Sequence, residues 1–192
     1  MIYENIGIRA TSSASQMPPH AEERGEYMGL TDNTITKLIE TAFTARLSAY
    51  APYSGYKVGA ALLAENGRIF SGCNIENASY GGTVCAERVA VFKAVSEGQR
   101  YFTAIAIVGG KSLPEPDSDS PAIPLNSGSD SPAFFVPDYA YPCGMCRQVL
   151  SEFCEGNMKV IVARSVEDYR EYTLEELIPH SFGPGMLKND QN

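Results

Sequence analysis

The sequence predicts one α/β domain, a three-layer α/β/α sandwich around a mixed sheet. Three observations carry this. Helical periodicities and short apolar runs follow one another as helix, hairpin, helix, strand, helix, strand. Tyr56–Ala64 is apolar on both faces, so its sheet must be covered on both sides. At 192 residues, 44% hydrophobic and 20% charged, the chain suffices for one well-cored domain and is short for two.

Taken in order, residues 1–31 lack sustained periodicity, and Thr11-Ser-Ser-Ala-Ser15 and Pro18-Pro19 mark a flexible N-terminal extension. Residues 34–50 form a helix with Ile35, Leu38, Ile39, Ala42 and Ala49 on one face, stopped by Pro52. In the strand Tyr56–Ala64, Val58, Ala60 and Leu62 point one way and Ala61 and Leu63 the other. Asn66-Gly67 is a hairpin turn, and Arg68–Cys73 returns as a strand. Val84–Glu97 is a helix with Ala86, Val89, Ala90 and Ala94 inward, ended by Gly98. Phe102–Val108 and Met158–Ala163 are buried strands, and Cys143–Glu155 is a helix ended by Gly156. Thr173-Leu-Glu-Glu176 is a capping box opening a short last helix, which Pro179 closes. The expected domain spans residues 32–187, with a flexible tail at 188–192.

Residues 111–138 break this order. They hold prolines at 114, 116, 121, 124, 132 and 137, and Ser118-Asp-Ser-Pro-Ala122 recurs as Ser129-Asp-Ser-Pro-Ala133. This composition reads as an acidic surface insertion grown by local duplication, with Phe134-Phe-Val136 able to dock on the body. Gly110-Lys-Ser112 superficially matches the end of a phosphate loop, but Ile105 stands where its glycine is required.

A net charge of -8 and a pI near 4.8 disfavour sustained contact with phosphate backbones, so no nucleic-acid partner is expected. No apolar run is long enough to span a bilayer, and no basic segment precedes an apolar core at the N-terminus. Five cysteines, two of them in a CxxC, suit a reducing, cytoplasmic compartment with a metal site better than a disulfide framework.

Chemistry concentrates in two stretches. Gly72–Ala90 carries Cys85 and, two positions on, Glu87; Pro142-Cys-Gly-Met-Cys-Arg-Gln148 carries Cys143 and Cys146. A catalytic zinc takes three protein ligands and leaves its fourth position to water, whose pKa falls to about 7. Cys85, Cys143 and Cys146 supply three thiolates, each segment at a predicted helix N-terminus that lowers thiol pKa. Glu87 is then placed to take a proton from that water. Arg88 and Arg147, close behind ligands, are candidates to hydrogen-bond the sulfurs. Alone, CxxC fits a structural zinc knuckle or a redox pair, and Cys73 or Cys154 is formally available as a fourth ligand. Cys154 reads as a buried side chain deep in the third helix, and Cys73 as a buried strand end.

The combination resembles the cytidine deaminase family in its small, homotetrameric, three-cysteine zinc form, over residues 34–187. The matching pieces are Ala49-Tyr-Ala-Pro-Tyr-Ser54, Lys57-Val-Gly-Ala-Ala-Leu62, Gly72-Cys-Asn-Ile-Glu-Asn-Ala-Ser-Tyr-Gly81, Cys85-Ala-Glu-Arg88, Pro142–Gln148 and Ser181-Phe-Gly-Pro184. The resemblance implies one Zn²⁺ per subunit on Cys85, Cys143 and Cys146, with Glu87 moving a proton from water to N3 of cytosine and then to the departing amine. It implies that Asn74 and Glu76 bind the ribose hydroxyls and that Tyr56 stacks on the base. It also implies that Phe182 enters a neighbouring subunit's site. The substrate expected is cytidine, and 2'-deoxycytidine, in pyrimidine salvage. The N-terminal extension and the 111–138 insertion fall outside the family pattern.

Overall fold

The computed structural model describes residues 30–111, 135–183 and 186. Helix α1 (Asp32–Leu47) begins where Thr31 adopts an extended backbone and its hydroxyl accepts from Thr34 N–H at 3.2 Å. Strands β1 (Tyr56–Ala64) and β2 (Ile69–Cys73) follow, then α2 (Ala86–Ser96) and β3 (Phe102–Lys111). The described chain continues with α3 (Gly144–Phe153), β4 (Lys159–Ala163), β5 (Tyr169–Thr173) and α4 (Leu174–Leu177).

One sheet runs in the order β2-β1-β3-β4-β5. β1 is antiparallel to both β2 and β3, β3 is parallel to β4, and β4 is antiparallel to β5, so the sheet is mixed as expected. The β1–β2 hairpin turns at Asn66-Gly67, where Gly67 takes φ 80°.

The alternation in β1 sorts its side chains into two cores. Ala60, Leu62 and Ala64 pack with Ala86, Ala90, Val91, Leu150, Ile105, Ile107, Val160 and Val162 on the face covered by α2 and α3. Ala61, Ala104, Ala106, Val108, Ile161 and Ala163 pack with Leu38, Ile39, Ala42 and Phe43 on the face covered by α1. The sheet is therefore covered on both sides. Two glycines set the helix–sheet spacing: a Cβ at Gly59 would sit 2.0 Å from the Ala42 carbonyl oxygen, and one at Gly72 would sit 2.4 Å from that of Ala86.

Several expectations shift. α1 ends at Leu47, short of the expected residue 50, and its buried face includes Phe43. α2 starts at Ala86, and Val91 rather than Val89 is fully buried. β3 runs three residues further, to Lys111, because Tyr56, Lys57 and Val58 offer partners to Lys111, Gly110 and Gly109. α3 ends at Phe153; Cys154 is its extended, half-buried C-cap and not an interior residue. β5 was not expected: its residues are partly or fully exposed, and only the pairing with β4 makes it a strand. The Thr173–Glu176 capping box is present.

Residues 1–29 of the expected 1–31 extension, residues 112–134 of the 111–138 insertion and the whole 188–192 tail lie outside the described residues. Val136, near the end of that insertion, docks as expected: it is buried, and its N–H donates to Arg164 O at 2.9 Å. Phe135 stays half exposed under the Arg164 guanidinium, 5.3 Å from the ring centroid.

Candidate active site

Two helix N-termini meet on the α2/α3 face of the sheet. Cys85 is the N-cap of α2 and Cys143 the N-cap of α3, both with extended backbone, and neither side chain caps its helix. Cys146 sits one turn into α3 and is fully buried. The Cys85 and Cys143 sulfurs are 3.9 Å apart, those of Cys143 and Cys146 3.5 Å, and all three lie within 4.8 Å of one another.

Local pairing fixes each segment. Ile75 exchanges backbone hydrogen bonds with Val84 at 2.9 and 3.0 Å, which anchors the residue before Cys85. On the other side, Arg147 Nε donates to Pro142 O and Arg147 Nη1 to Leu177 O, both at 2.7 Å. The approach to Cys143 is further held from β5. Arg170 lies 4.1 Å over the Tyr139 ring and donates to Tyr141 Oη at 3.0 Å, and the Tyr139 hydroxyl donates to the Asp168 carboxylate. These β5-side supports were invisible in the sequence because nothing there marked β5 as a strand.

The thiols are polarised. The Cys85 thiol is lowered to about 5, first by a hydrogen bond from the Cys146 thiol and further by Arg88, whose Nη2 lies 3.5 Å from the sulfur. Cys146 is correspondingly raised, because it donates to Cys85 and is buried. Arg88 also donates to Thr83 O at 3.0 Å, and its buried Nε has no hydrogen-bond partner among the described residues. Arg147, by contrast, spends its described hydrogen bonds on two backbone carbonyls; the expectation that it contacts sulfur is corrected, and it braces the loop before Cys143 instead. Glu87, in the first turn of α2, is 4% exposed, and burial raises its carboxyl to about 7, with the Cys85 charge adding to the shift.

The donor set fits zinc. Three sulfurs around a tetrahedral ion with bonds of about 2.3 Å stand about 3.8 Å apart, and the spacings of 3.5 and 3.9 Å straddle that value. Among the described residues the metal-binding group comprises these three cysteines, without Cys73 or Cys154. Cys73 is half-buried on β2 and its thiol is raised by burial.

Four further residues were expected at the nucleoside: Asn74, Tyr56, Glu76 and Phe182. Asn74 is buried, and its amide spans the start of β1: Oδ1 accepts from Val58 N–H and Nδ2 donates to Tyr56 O, both at 2.8 Å. Tyr56 projects from β1 on the same face as α2 and α3, and burial raises its phenol. Glu76 accepts three hydrogen bonds from Tyr53 and Ser54. Phe182 is 55% exposed, on a segment whose carbonyl accepts from Gln148 Nε2 at 2.6 Å. The structural roles of Asn74 and Ser54 were not foreseen; an amide two residues from a carboxylate was read only as a ligand pair.

The fold and the three-cysteine donor set fit an α/β domain with a zinc site. The family profile described as the cytidine and deoxycytidylate deaminase zinc-binding region matches residues 32–163. A cytidine deaminase of Sporosarcina psychrophila is 44% identical over 148 residues, covering 77% of this chain and 90% of that protein. One from Halalkalibacterium halodurans is 43% identical over 145 residues, covering 76% and 91%. The crystal structure of cytidine deaminase from Burkholderia pseudomallei superposes with a TM-score of 0.60 at 39% identity, covering 76% of this chain and 97% of that one. The chain belongs to the cytidine deaminase family.

Proposed function

We propose that this protein hydrolyses cytidine and 2'-deoxycytidine to uridine and 2'-deoxyuridine, releasing ammonia, in pyrimidine nucleoside salvage. The observation that carries this is the meeting of three thiols at two helix N-termini beside an almost fully buried carboxyl, Glu87. Cys85, Cys143 and Cys146 would hold one Zn²⁺ per subunit. When bound there, zinc supplies Lewis acidity that lowers the pKa of water to about 7.

The protein's own residues do the rest. Glu87 accepts the proton lost by the attacking water and delivers it to N3 of the cytosine ring. It then carries the second proton of that water, from the oxygen now bonded to C4, to the 4-amino group; the C4–N bond breaks, C4=O forms and ammonia leaves. A carboxyl buried beside the metal ligands can both take a proton and give it back within one cycle. Arg88 offsets negative charge on the Cys85 sulfur, which preserves the acidity that three thiolates would otherwise blunt. Tyr56 stacks on the base, and Asn74 and Glu76 bind the sugar hydroxyls. Phe182 reaches a neighbouring subunit's site in a homotetramer, a role supported by its exposure in the single chain. The acidic balance of the chain favours a free nucleoside over a polynucleotide. Among the described residues no helix is long and apolar enough to cross a membrane. Five cysteines, two of them in a CxxC, suit a reducing compartment, and on that ground we assign the enzyme to the cytoplasm.

The test is the loss of cytidine ultraviolet absorbance on adding the protein, with and without a chelator, alongside a native mass measurement. Turnover abolished by the chelator, restored by zinc, and a mass of four subunits are expected. Turnover indifferent to the metal would overturn the proposal.

A further inference from the structure

The turn before β1 is tied to Glu76 rather than merely adjacent to it. Gly55, at φ 64°, closes the turn with its N–H donating to Ala51 O at 3.0 Å. Tyr50 N–H donates to Asn74 O at 3.0 Å and Glu76 N–H to Tyr50 O at 2.8 Å, so the backbone of residues 74–76 lies along the start of the turn. Two of the turn's amides then point at one carboxylate oxygen: Tyr53 N–H reaches Glu76 Oε2 at 2.8 Å and Ser54 N–H reaches it at 3.2 Å. The Ser54 hydroxyl takes the other oxygen, Oε1, at 2.5 Å.

We propose that Ser54 is a positioning residue for sugar recognition: its hydroxyl aims the Glu76 carboxylate at a nucleoside hydroxyl. This rests on the reading of Glu76 as a sugar ligand. The direction of the hydroxyl is set by the backbone. Tyr56 N–H donates to Ser54 Oγ at 2.9 Å, which occupies that oxygen as an acceptor and leaves its hydrogen for Glu76. A carboxylate has about four acceptor positions. Oε2 carries two donors and Oε1 carries one, so one position remains, on Oε1, for a hydroxyl from a ligand.

Tyr56, the proposed base-stacking residue, is gripped through its N–H by Ser54 and through its carbonyl by Asn74. The base end does not depend on Ser54, because Tyr56 is also held in β1 opposite Lys111 of β3. Glu76, the proposed sugar ligand, is gripped by Ser54 directly. These hydrogen bonds keep Glu76 ionised, its carboxyl held below the usual range chiefly by the Ser54 hydroxyl. An ionised, fixed acceptor binds a sugar hydroxyl more strongly than a mobile one, because less ordering remains to be done on binding.

Calorimetric titration of the zinc-loaded protein with uridine and with 2',3'-dideoxyuridine separates a positioning role from a merely structural one. Ser54→Ala is expected to weaken uridine about tenfold, the loss of one charge-assisted hydrogen bond, and to leave the dideoxy ligand unaffected. Ser54→Thr keeps the hydroxyl and is expected to bind both ligands as the parent protein does, which guards against a fold effect of the alanine. Equal weakening of both ligands by Ser54→Ala, or weakening of neither, overturns the proposal. Glu76→Gln is the separate control. If it leaves uridine affinity unchanged, the reading of Glu76 as a sugar ligand fails; if it weakens uridine while Ser54→Ala does not, only the positioning role of Ser54 fails.

Discussion

Substituting Gly72 tests whether strand β2 sets the position of α2, the helix that carries Cys85 and Glu87. A Cβ at Gly72 would lie 2.4 Å from Ala86 O, 2.6 Å from Ala90 N and 3.0 Å from Val89 Cβ. The two nearest atoms are α2 backbone and cannot rotate away. Ordinary contact begins at 3.4 Å, so in Gly72→Ala the helix must retreat by about 1 Å. Overpacking of this kind costs about 1–3 kcal/mol of stability. The larger consequence is functional, because α2 starts at the N-cap Cys85 and carries Glu87 in its first turn. A misplacement of about 1 Å at a reacting group costs about a hundredfold in rate. The partner experiment is Gly59→Ala, whose Cβ would meet Ala42 O at 2.0 Å and Arg46 N at 2.5 Å, on α1 across the sheet. That variant is expected to lose at least as much stability while its folded fraction keeps its kcat, since α1 carries none of the proposed site residues. Urea unfolding, zinc content and kcat for cytidine, measured on both variants, decide the matter. A Gly72→Ala protein with the parent kcat, or a Gly59→Ala protein losing as much turnover per folded molecule, would refute the reasoning.

Glu87→Gln is expected to keep zinc and fold yet lose turnover by at least about a hundredfold, the contribution of one general acid–base group; steady-state kinetics with zinc analysis checks it. In the metal-free protein the same substitution has a pH signature. The Glu87 carboxyl is raised from 4.5 to about 7, so the native state holds that proton more tightly than the unfolded chain. The stability of the parent relative to the Gln variant is therefore full below pH 4.5 and falls by about 3 kcal/mol as pH rises through 7. Urea titrations of both chelated proteins at pH 4.5 and 8 test the sign. Cys146→Ala removes a fully buried ligand; zinc release on gel filtration and a lowered melting temperature are expected, because metal binding couples to folding. Replacing residues 112–134 with a turn of about four residues is expected to keep zinc content and kcat, since shortening a loop lowers its closure entropy. The anchors either side support this, a Cβ at Gly110 lying 3.2 Å from that of Val136; loss of folding on circular dichroism would contradict it.

The parts of the fold legible in the sequence were those written in apolar periodicity. β1 announced two buried faces, and its apolar side chains lie in the core their parity demanded. The capping box at Thr173–Glu176 and the Asn66-Gly67 turn were equally local signals. β5 was not legible, because Tyr169-Arg-Glu-Tyr-Thr173 buries too little apolar surface to differ from a loop; its pairing with β4 is a long-range fact. At the site, the cysteine spacing alone left a zinc knuckle or a redox pair open, and the resemblance to the family named the three cysteines that meet at two helix N-termini. What a side chain does once its backbone is placed was less visible. Arg147 sits beside a ligand in sequence, yet Pro142 O and Leu177 O claim it. Asn74 reads as a ligand, yet its amide is first a bridge between Tyr56 and Val58.

X-ray absorption at the zinc edge of the purified enzyme addresses the metal centre itself. Three sulfur neighbours at about 2.3 Å and one oxygen or nitrogen neighbour at about 2.0 Å are expected. A shell of four sulfurs would mean that Cys73 or Cys154 closes the site, leaving no position for water and no task for Glu87.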